Sequence, residues 1–390
     1  MRQRRGLGLA LLAALAVAAS AGIADAQSLH QFGYKAPRTS WGVPDLEGVW
    51  SNASVTDMQR EPRFPNLVLT PAEAAEMERH DYYNVSTRAE QKPSDTKDTR
   101  LLDGKDLLAG GGYNSFWIDQ GSKVARVKGT LRSSWIVEPD DGLIPYKDPA
   151  RRHSGPGQGG SSSIDLRSSE YTAQTSKRDA SKLSIGGPVP VNPAHGGQEG
   201  SYDNPETRPA SERCLIGFGS AGGPVMGNVI YNNRYQIVQS PTRVMILVEM
   251  VHDARIVPVF TTAEEARKNF RPNVIKPWLG DSVGWYEGDE LVVETRNANP
   301  IQRGMLSAQG KLTERFSRWN KDQVTYAFEV DDPALYSRKW KGEMALNATQ
   351  RWFEYACHEG NYAMVGILAG ARKLEREGRS VVPNFAEEGG

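Results

Sequence analysis

Asp281-Ser-Val-Gly-Trp-Tyr-Glu-Gly-Asp-Glu-Leu-Val-Val-Glu-Thr295 spells two strands and the turn between them. β-Branched and aromatic residues crowd both halves, and Glu287-Gly288-Asp289 offers a residue free to take positive φ, so the segment predicts a hairpin. The same pattern repeats through the last third of the chain. Strands are expected over 234–239 and 243–250, flanking Ser240-Pro241-Thr242, then over 254–260, and over 313–319 and 323–330, flanking Asn320-Lys321-Asp322. A last long strand is expected over 345–355, and an apolar helix over 361–376 ends before Gly378. With a short strand at 46–50 the count reaches about nine. Strands joined mainly by hairpins pair antiparallel, and a sheet of that size is expected to close, or nearly close, into a barrel.

Upstream, Thr70-Pro71-Ala72-Glu73 combines an N-cap, a proline at the first helical position and a capping-box glutamate, which predicts a helix over 71–81. Two more strands are expected at 113–120 and 129–137, before the acidic turn Glu138-Pro139-Asp140-Asp141-Gly142. Between 151 and 209 the composition turns to Gly, Ser, Pro, Gln and Asn, which is poor material for a core. That insert is a surface excursion or linker, or else a flap over a pocket.

The chain begins with Met1-Arg2-Gln3-Arg4-Arg5, continues through an apolar run and reaches Ala24-Asp25-Ala26. A basic start, an apolar centre and an Ala-x-Ala site form a secretory signal, so residues 1–26 are expected to be removed and 27–390 to form one barrel-like domain. No later segment is apolar enough to span a bilayer, which points to a periplasmic or secreted protein. The formal charge is +0, and losing Arg2, Arg4, Arg5 and Asp25 leaves 0 − 3 + 1 = −2. A near-neutral chain without a Lys/Arg block argues against a nucleic-acid partner and leaves a small molecule as the expected one. Of the two cysteines, Cys214 and Cys357, an oxidising compartment favours one disulfide, worth about 4 to 5 kcal/mol in the chain-entropy model. Two buried thiols or a catalytic thiol are the alternatives.

Gly48-Val49-Trp50 on an early strand is similar to the Gly-x-Trp signature of lipocalin-like, or calycin, barrels. In those barrels an arginine from a late strand packs across the tryptophan, a part the resemblance gives here to Arg351. A wider resemblance rests on the segments 45–50, Tyr202-Asp203-Asn204-Pro205 with Glu212-Arg213-Cys214, 278–289 and 354–362. These look like a large family of secreted bacterial β-rich proteins. That resemblance implies a single fold and a location in the bacterial envelope, and it brings no catalytic residues with it.

The ionisable residues therefore speak for themselves. Glu249 interrupts an apolar strand and is followed by His252-Asp253 and Arg255. Period-2 counting puts Glu249 and Arg255 on one face and His252 on the other, unless a turn or bulge at Asp253 intervenes. Facing a barrel interior, Glu249 or His252 would transfer a proton and Arg255 would stabilise developing negative charge. The bland alternative is a structural Glu-Arg pair with a surface histidine. A second group, Glu354 and His358 with Glu359, surrounds Cys357; Arg213, Trp278, Asp281 and Trp285 form a third, suited to holding a carboxylate, a phenolic oxygen or a sugar hydroxyl. The six histidines are scattered, so no metal centre is expected, and the Gly-rich pieces lack the strand-to-helix context of a nucleotide site, so no cofactor is expected. Two functions remain: a cofactor-independent lyase, isomerase or hydrolase acting on a small, partly apolar molecule, or a carrier or sensor barrel that only binds one.

Overall fold

The computed structural model describes residues 29–81, 84, 119–147, 214–215, 223, 225–229, 231–299, 305–357 and 363–379. The expected signal segment 1–26, the expected insert 151–209 and most of the strand expected at 113–120 lie outside them. The chain is mainly β. Strands β1 (Gly48–Ser51), β2 (Arg126–Val127), β3 (Thr130–Leu131) and β4 (Ile136–Glu138) precede β5 (Arg234–Ser240), β6 (Arg243–Val248) and β7 (Ala254–Phe260). They are followed by β8 (Asp281–Glu287), β9 (Glu290–Arg296), β10 (Lys311–Asn320), β11 (Gln323–Asp331) and β12 (Trp340–Ala348). Three α-helices accompany them among the described residues: α1 (Pro71–His80), α2 (Ala263–Lys268) and α3 (Ala363–Arg376).

The main sheet runs β1-β5-β6-β7-β8-β9-β10-β11-β12, and β12 pairs again with β1, so nine strands close into a barrel. Strand β4 adds to β12 at the end of that strand remote from β1. Every pairing in the ring is antiparallel but one. Strands β7 and β8 run parallel, with Val259 opposite Gly284 and Phe260 opposite Trp285. The cause is α2, which carries the chain back before β8 begins, as a parallel pair requires. Its start is written in Thr262-Ala263-Glu264-Glu265, where the Thr262 hydroxyl accepts the Glu265 N–H at 3.2 Å.

Several expected strands have different bounds, two of them markedly. The segment 129–137 holds only β3 and β4, and the last strand begins at Trp340 and ends at Ala348 rather than covering 345–355. Lys339, Lys341 and Glu343 dilute the apolar signal at its start, yet Trp340, Gly342, Met344 and Leu346 are all buried on one face. Gly342 is required there. It stands opposite Phe328, whose Cζ lies 2.1 Å from where a Cβ would be.

Alternate residues of each strand fill the barrel: Tyr235 and Ile237 from β5, Ile246 and Val248 from β6, Phe316 from β10, Tyr326 and Val330 from β11. One end is closed by the N-terminal segment. Gln31 N–H donates to the Trp319 carbonyl at 2.8 Å, and the His30 ring bonds the Arg318 carbonyl at 2.5 Å and Asp289 at 3.0 Å. The Trp50 indole donates to Leu46, and the Arg318 guanidinium lies 4.9 Å from the Trp50 ring centroid. An arginine of a late strand thus packs across the tryptophan, but it is Arg318 of β10; Arg351 is exposed on the tail after β12.

Residues 225–229 fill the barrel toward its other end. Val225 and Met226 are fully buried among the barrel residues. The Met226 N–H donates to the Tyr326 hydroxyl at 3.2 Å, and the Met226 carbonyl accepts from Asn52 at 3.3 Å. The segment is tied at a distance by a disulfide between Cys214 and Cys357, whose Cα atoms are 5.4 Å apart. No helix among the described residues is long and apolar enough to cross a membrane.

Gly342→Ala is expected to destabilise the fold by about 1 to 3 kcal/mol through overpacking. Adding Phe328→Leu should recover part of that loss, read as non-additivity in urea unfolding. Strict additivity would mean that the two residues do not meet.

Candidate functional site

The innermost polar group of the barrel is centred on Arg255, the second residue of β7. Opposite Ile246, it shares the inward face of the sheet with Val257. Its guanidinium makes a bidentate contact with the Glu314 carboxylate, Nη1 to Oε1 at 2.9 Å and Nη2 to Oε2 shorter still, and both side chains are essentially inaccessible at 1% and 0%. The Tyr326 hydroxyl donates to Glu314 Oε1 at 2.8 Å, and Arg255 Nη2 donates to the Thr295 hydroxyl at 3.3 Å. Thr295 in turn shares a 2.8 Å bond with Ser282. Five strands therefore contribute to one chain of contacts: Arg255 from β7, Ser282 from β8, Thr295 from β9, Glu314 from β10 and Tyr326 from β11.

Burial opposes the Arg255 charge, but the Glu314 carboxylate, with smaller help from Tyr326 and Tyr235, outweighs it and raises the guanidinium above its ordinary pKa. Burial also holds the Tyr326 phenol well above its ordinary range, a shift reinforced by the negative charge of Glu314. The nearby Tyr235 phenol is raised for the same first reason. Both phenols are neutral donors throughout ordinary pH.

Glu249 belongs elsewhere. It continues the outward parity of β6, and its backbone N–H bonds the Arg234 carbonyl at 2.9 Å. Its carboxylate takes a 3.2 Å bond from Arg234 and a 2.6 Å bond from the Phe353 N–H, while Arg234 also reaches Asp119 at 2.6 Å and lies over the Phe353 ring. The carboxylate thus clamps the tail after β12 onto the barrel. The expected common face of Glu249 and Arg255 is lost because a 3₁₀ turn, Met250–His252, lies between them. Val251 and His252 both sit at positive φ, 60° and 47°, so the strand parity restarts at Ala254. His252 is exposed at this turn and joins neither group. The neighbouring Asp253 carboxyl is pushed up by burial, against the pull of His252.

Two members of the third expected group, Asp281 and Trp285, lie on the outside of the barrel. Asp281 accepts the Arg271 N–H at 2.6 Å, and Trp285 packs against α2 with the Arg267 guanidinium 5.1 Å from its ring. Trp278 is half exposed in the loop before β8. Ser282, one residue from Asp281, is the member of that strand that faces the lumen group. Glu354 is exposed, while Arg213 and His358 lie outside the described residues. Glu314 and Tyr326 were missed in the sequence, although Leu312-Thr313-Glu314-Arg315-Phe316 alternates so that Glu314 shares the apolar face. That alternation is the signal that finds it.

Among the described residues, no three His, Cys, Asp or Glu side chains gather in a way that could hold a metal ion. Comparison with known protein families, curated proteins and solved structures finds no match.

Removing one member of the buried pair leaves the other uncompensated, so Glu314→Ala is expected to cost about 3 to 5 kcal/mol in urea unfolding. His252→Ala, at the exposed turn, should stay within about 0.5 kcal/mol. Equal losses for both variants would contradict the placement of Glu314 inside the barrel.

Proposed function

We propose that the protein is a periplasmic or secreted enzyme that needs no cofactor and moves a proton on a small, partly apolar organic molecule held in the barrel. One observation carries this reading: Arg255, Glu314 and Tyr326 join in a buried chain of polar contacts on the inner wall of a mostly apolar barrel interior. A buried ion pair is weak support for stability, because well-packed apolar residues of the same volume do as well or better. Such a pair inside a barrel fits a role toward a ligand. In this reading Glu314 accepts a proton, Tyr326 donates a hydrogen bond from its neutral phenol, and Arg255 stabilises negative charge as it develops. A lyase, an isomerase or a hydrolase would use the same three roles. The lipocalin-like signature and the resemblance to secreted bacterial β-rich proteins support the compartment and the barrel's use as a container.

The second reading is a carrier or sensor barrel. Glu314 already accepts from both Arg255 and Tyr326, an arrangement that also serves to anchor a ligand without reacting.

Solvent exchange separates the two. The chain is incubated with a small-molecule cell extract in deuterated water, and the retained and released molecules are weighed by mass spectrometry. The enzyme reading predicts carbon-bound deuterium in at least one retained neutral molecule, or its cleavage, with the rate of either falling about 10²- to 10⁴-fold in Tyr326→Phe and Glu314→Gln. Retained molecules that come off with neither carbon-bound deuterium nor cleavage would establish the carrier instead.

A further inference from the structure

The segment that fills the barrel interior is held there by specific polar contacts. Among 225–229, Val225 and Met226 place their side chains in the apolar core, both fully buried. Their backbone meets side chains of the barrel and of the turn after β1. The Met226 N–H donates to Tyr326 Oη at 3.2 Å, the Met226 carbonyl accepts from Asn52 Nδ2 at 3.3 Å, and the Gly227 carbonyl accepts from Tyr235 Oη at 3.2 Å. Asn52 Nδ2 also bonds Tyr235 Oη at 3.3 Å, so the acceptors of the segment are held by one connected pair. Neighbouring peptide groups are thus read by hydrogen-bonding side chains set around an apolar space.

The charge in this region is already balanced, because Arg255 faces Glu314 and the groups that hold the segment, Asn52, Tyr235 and Tyr326, are neutral. Two buried atoms here have no hydrogen-bond partner among the described residues: the donor Arg255 Nε and the acceptor Asn52 Oδ1. Arg255 borders the segment as well. A Cβ built on Gly223 would stand 3.4 Å from Arg255 Nη1 and 3.9 Å from Met226 Cγ. A molecule in place of Val225 and Met226 would find one spare donor and one spare acceptor beside the groups that now bond the backbone.

We infer that the lumen accepts an uncharged amide or short peptide with a branched or thioether apolar side chain, and that residues 225–227 occupy its place as an internal surrogate. The inference rests on the proposed lumen site and names the class of its ligand. A ligand of this class competes with the segment, so its apparent affinity is lowered by the fraction of chains in which the segment is seated.

The test uses the full chain carrying Met226→Ala, which loosens the segment, with Val225→Ala as a milder second variant and far-ultraviolet circular dichroism to verify folding. Two probes are titrated: acetyl-Val-Met-Gly-amide by calorimetry, and the neutral fluorophore N-phenyl-1-naphthylamine. The tripeptide is expected to bind Met226→Ala more tightly than the native chain, and to lose about tenfold in affinity when Asn52→Ala is added. If the fluorophore binds the loosened chain while the tripeptide does not, or binds regardless of Asn52, the amide class is overturned and the lumen site stands. If neither probe binds a folded Met226→Ala or Val225→Ala chain, both readings fall together.

Discussion

Four residues close the sheet. Strand Gly48–Ser51 hydrogen-bonds to Arg234–Ser240 on one side and to Trp340–Ala348 on the other, and without it the remaining strands would end in two open edges. Closure is what turns the alternation of each strand into an inside and an outside. Trp50 fixes the position of this short strand by filling the barrel's base under Arg318, with its indole nitrogen satisfied by Leu46. The N-terminal segment then seals that end through Gln31 and His30, which leaves the opposite end for the polar group and for residues 225–229.

Closure, together with the parity reset at Val251 and His252, separates two ion pairs whose arginines lie on nearby strands. Arg234–Glu249 and Arg255–Glu314 both start from the neighbouring strands Arg234–Ser240, Arg243–Val248 and Ala254–Phe260, yet one lies outside and the other inside. The outer pair has a mechanical part, since it binds the Phe353 N–H and so holds the tail that leads to the Cys214–Cys357 disulfide. The inner pair holds no chain segment in place directly. It joins Thr295, Ser282 and Tyr326 along the lumen wall, and Tyr326 passes the connection on to Met226.

Much of this fold was legible because hairpins are local. The pairs Arg234–Ser240 with Arg243–Val248, Asp281–Glu287 with Glu290–Arg296, and Lys311–Asn320 with Gln323–Asp331 each declare their alternation and their turn within about twenty residues. What stayed hidden depends on events that composition does not mark. Two successive residues at positive φ, Val251 and His252, reset the parity between Glu249 and Arg255, and a β-branched residue gives no warning of such a backbone. The six-residue helix Ala263–Lys268 converts one pairing to parallel, though its Thr262 cap was readable. The partner of Arg255 lies 59 residues away on a strand three places around the ring, a distance at which only the closed barrel brings the two together. Arg318 likewise reaches Trp50 by closure, whereas Arg351 had only its neighbour Trp352 to recommend it.

Under the proposed function the inner pair serves a ligand rather than the stability of the barrel. Equilibrium urea unfolding of the double variant Arg255→Met/Glu314→Leu tests this most directly, because apolar side chains of similar reach replace both charges at once. A chain that is as stable as the native one, or more stable by about 1 to 4 kcal/mol, is the predicted result. A loss of about 3 kcal/mol or more would show that the pair holds the barrel together and would contradict the account.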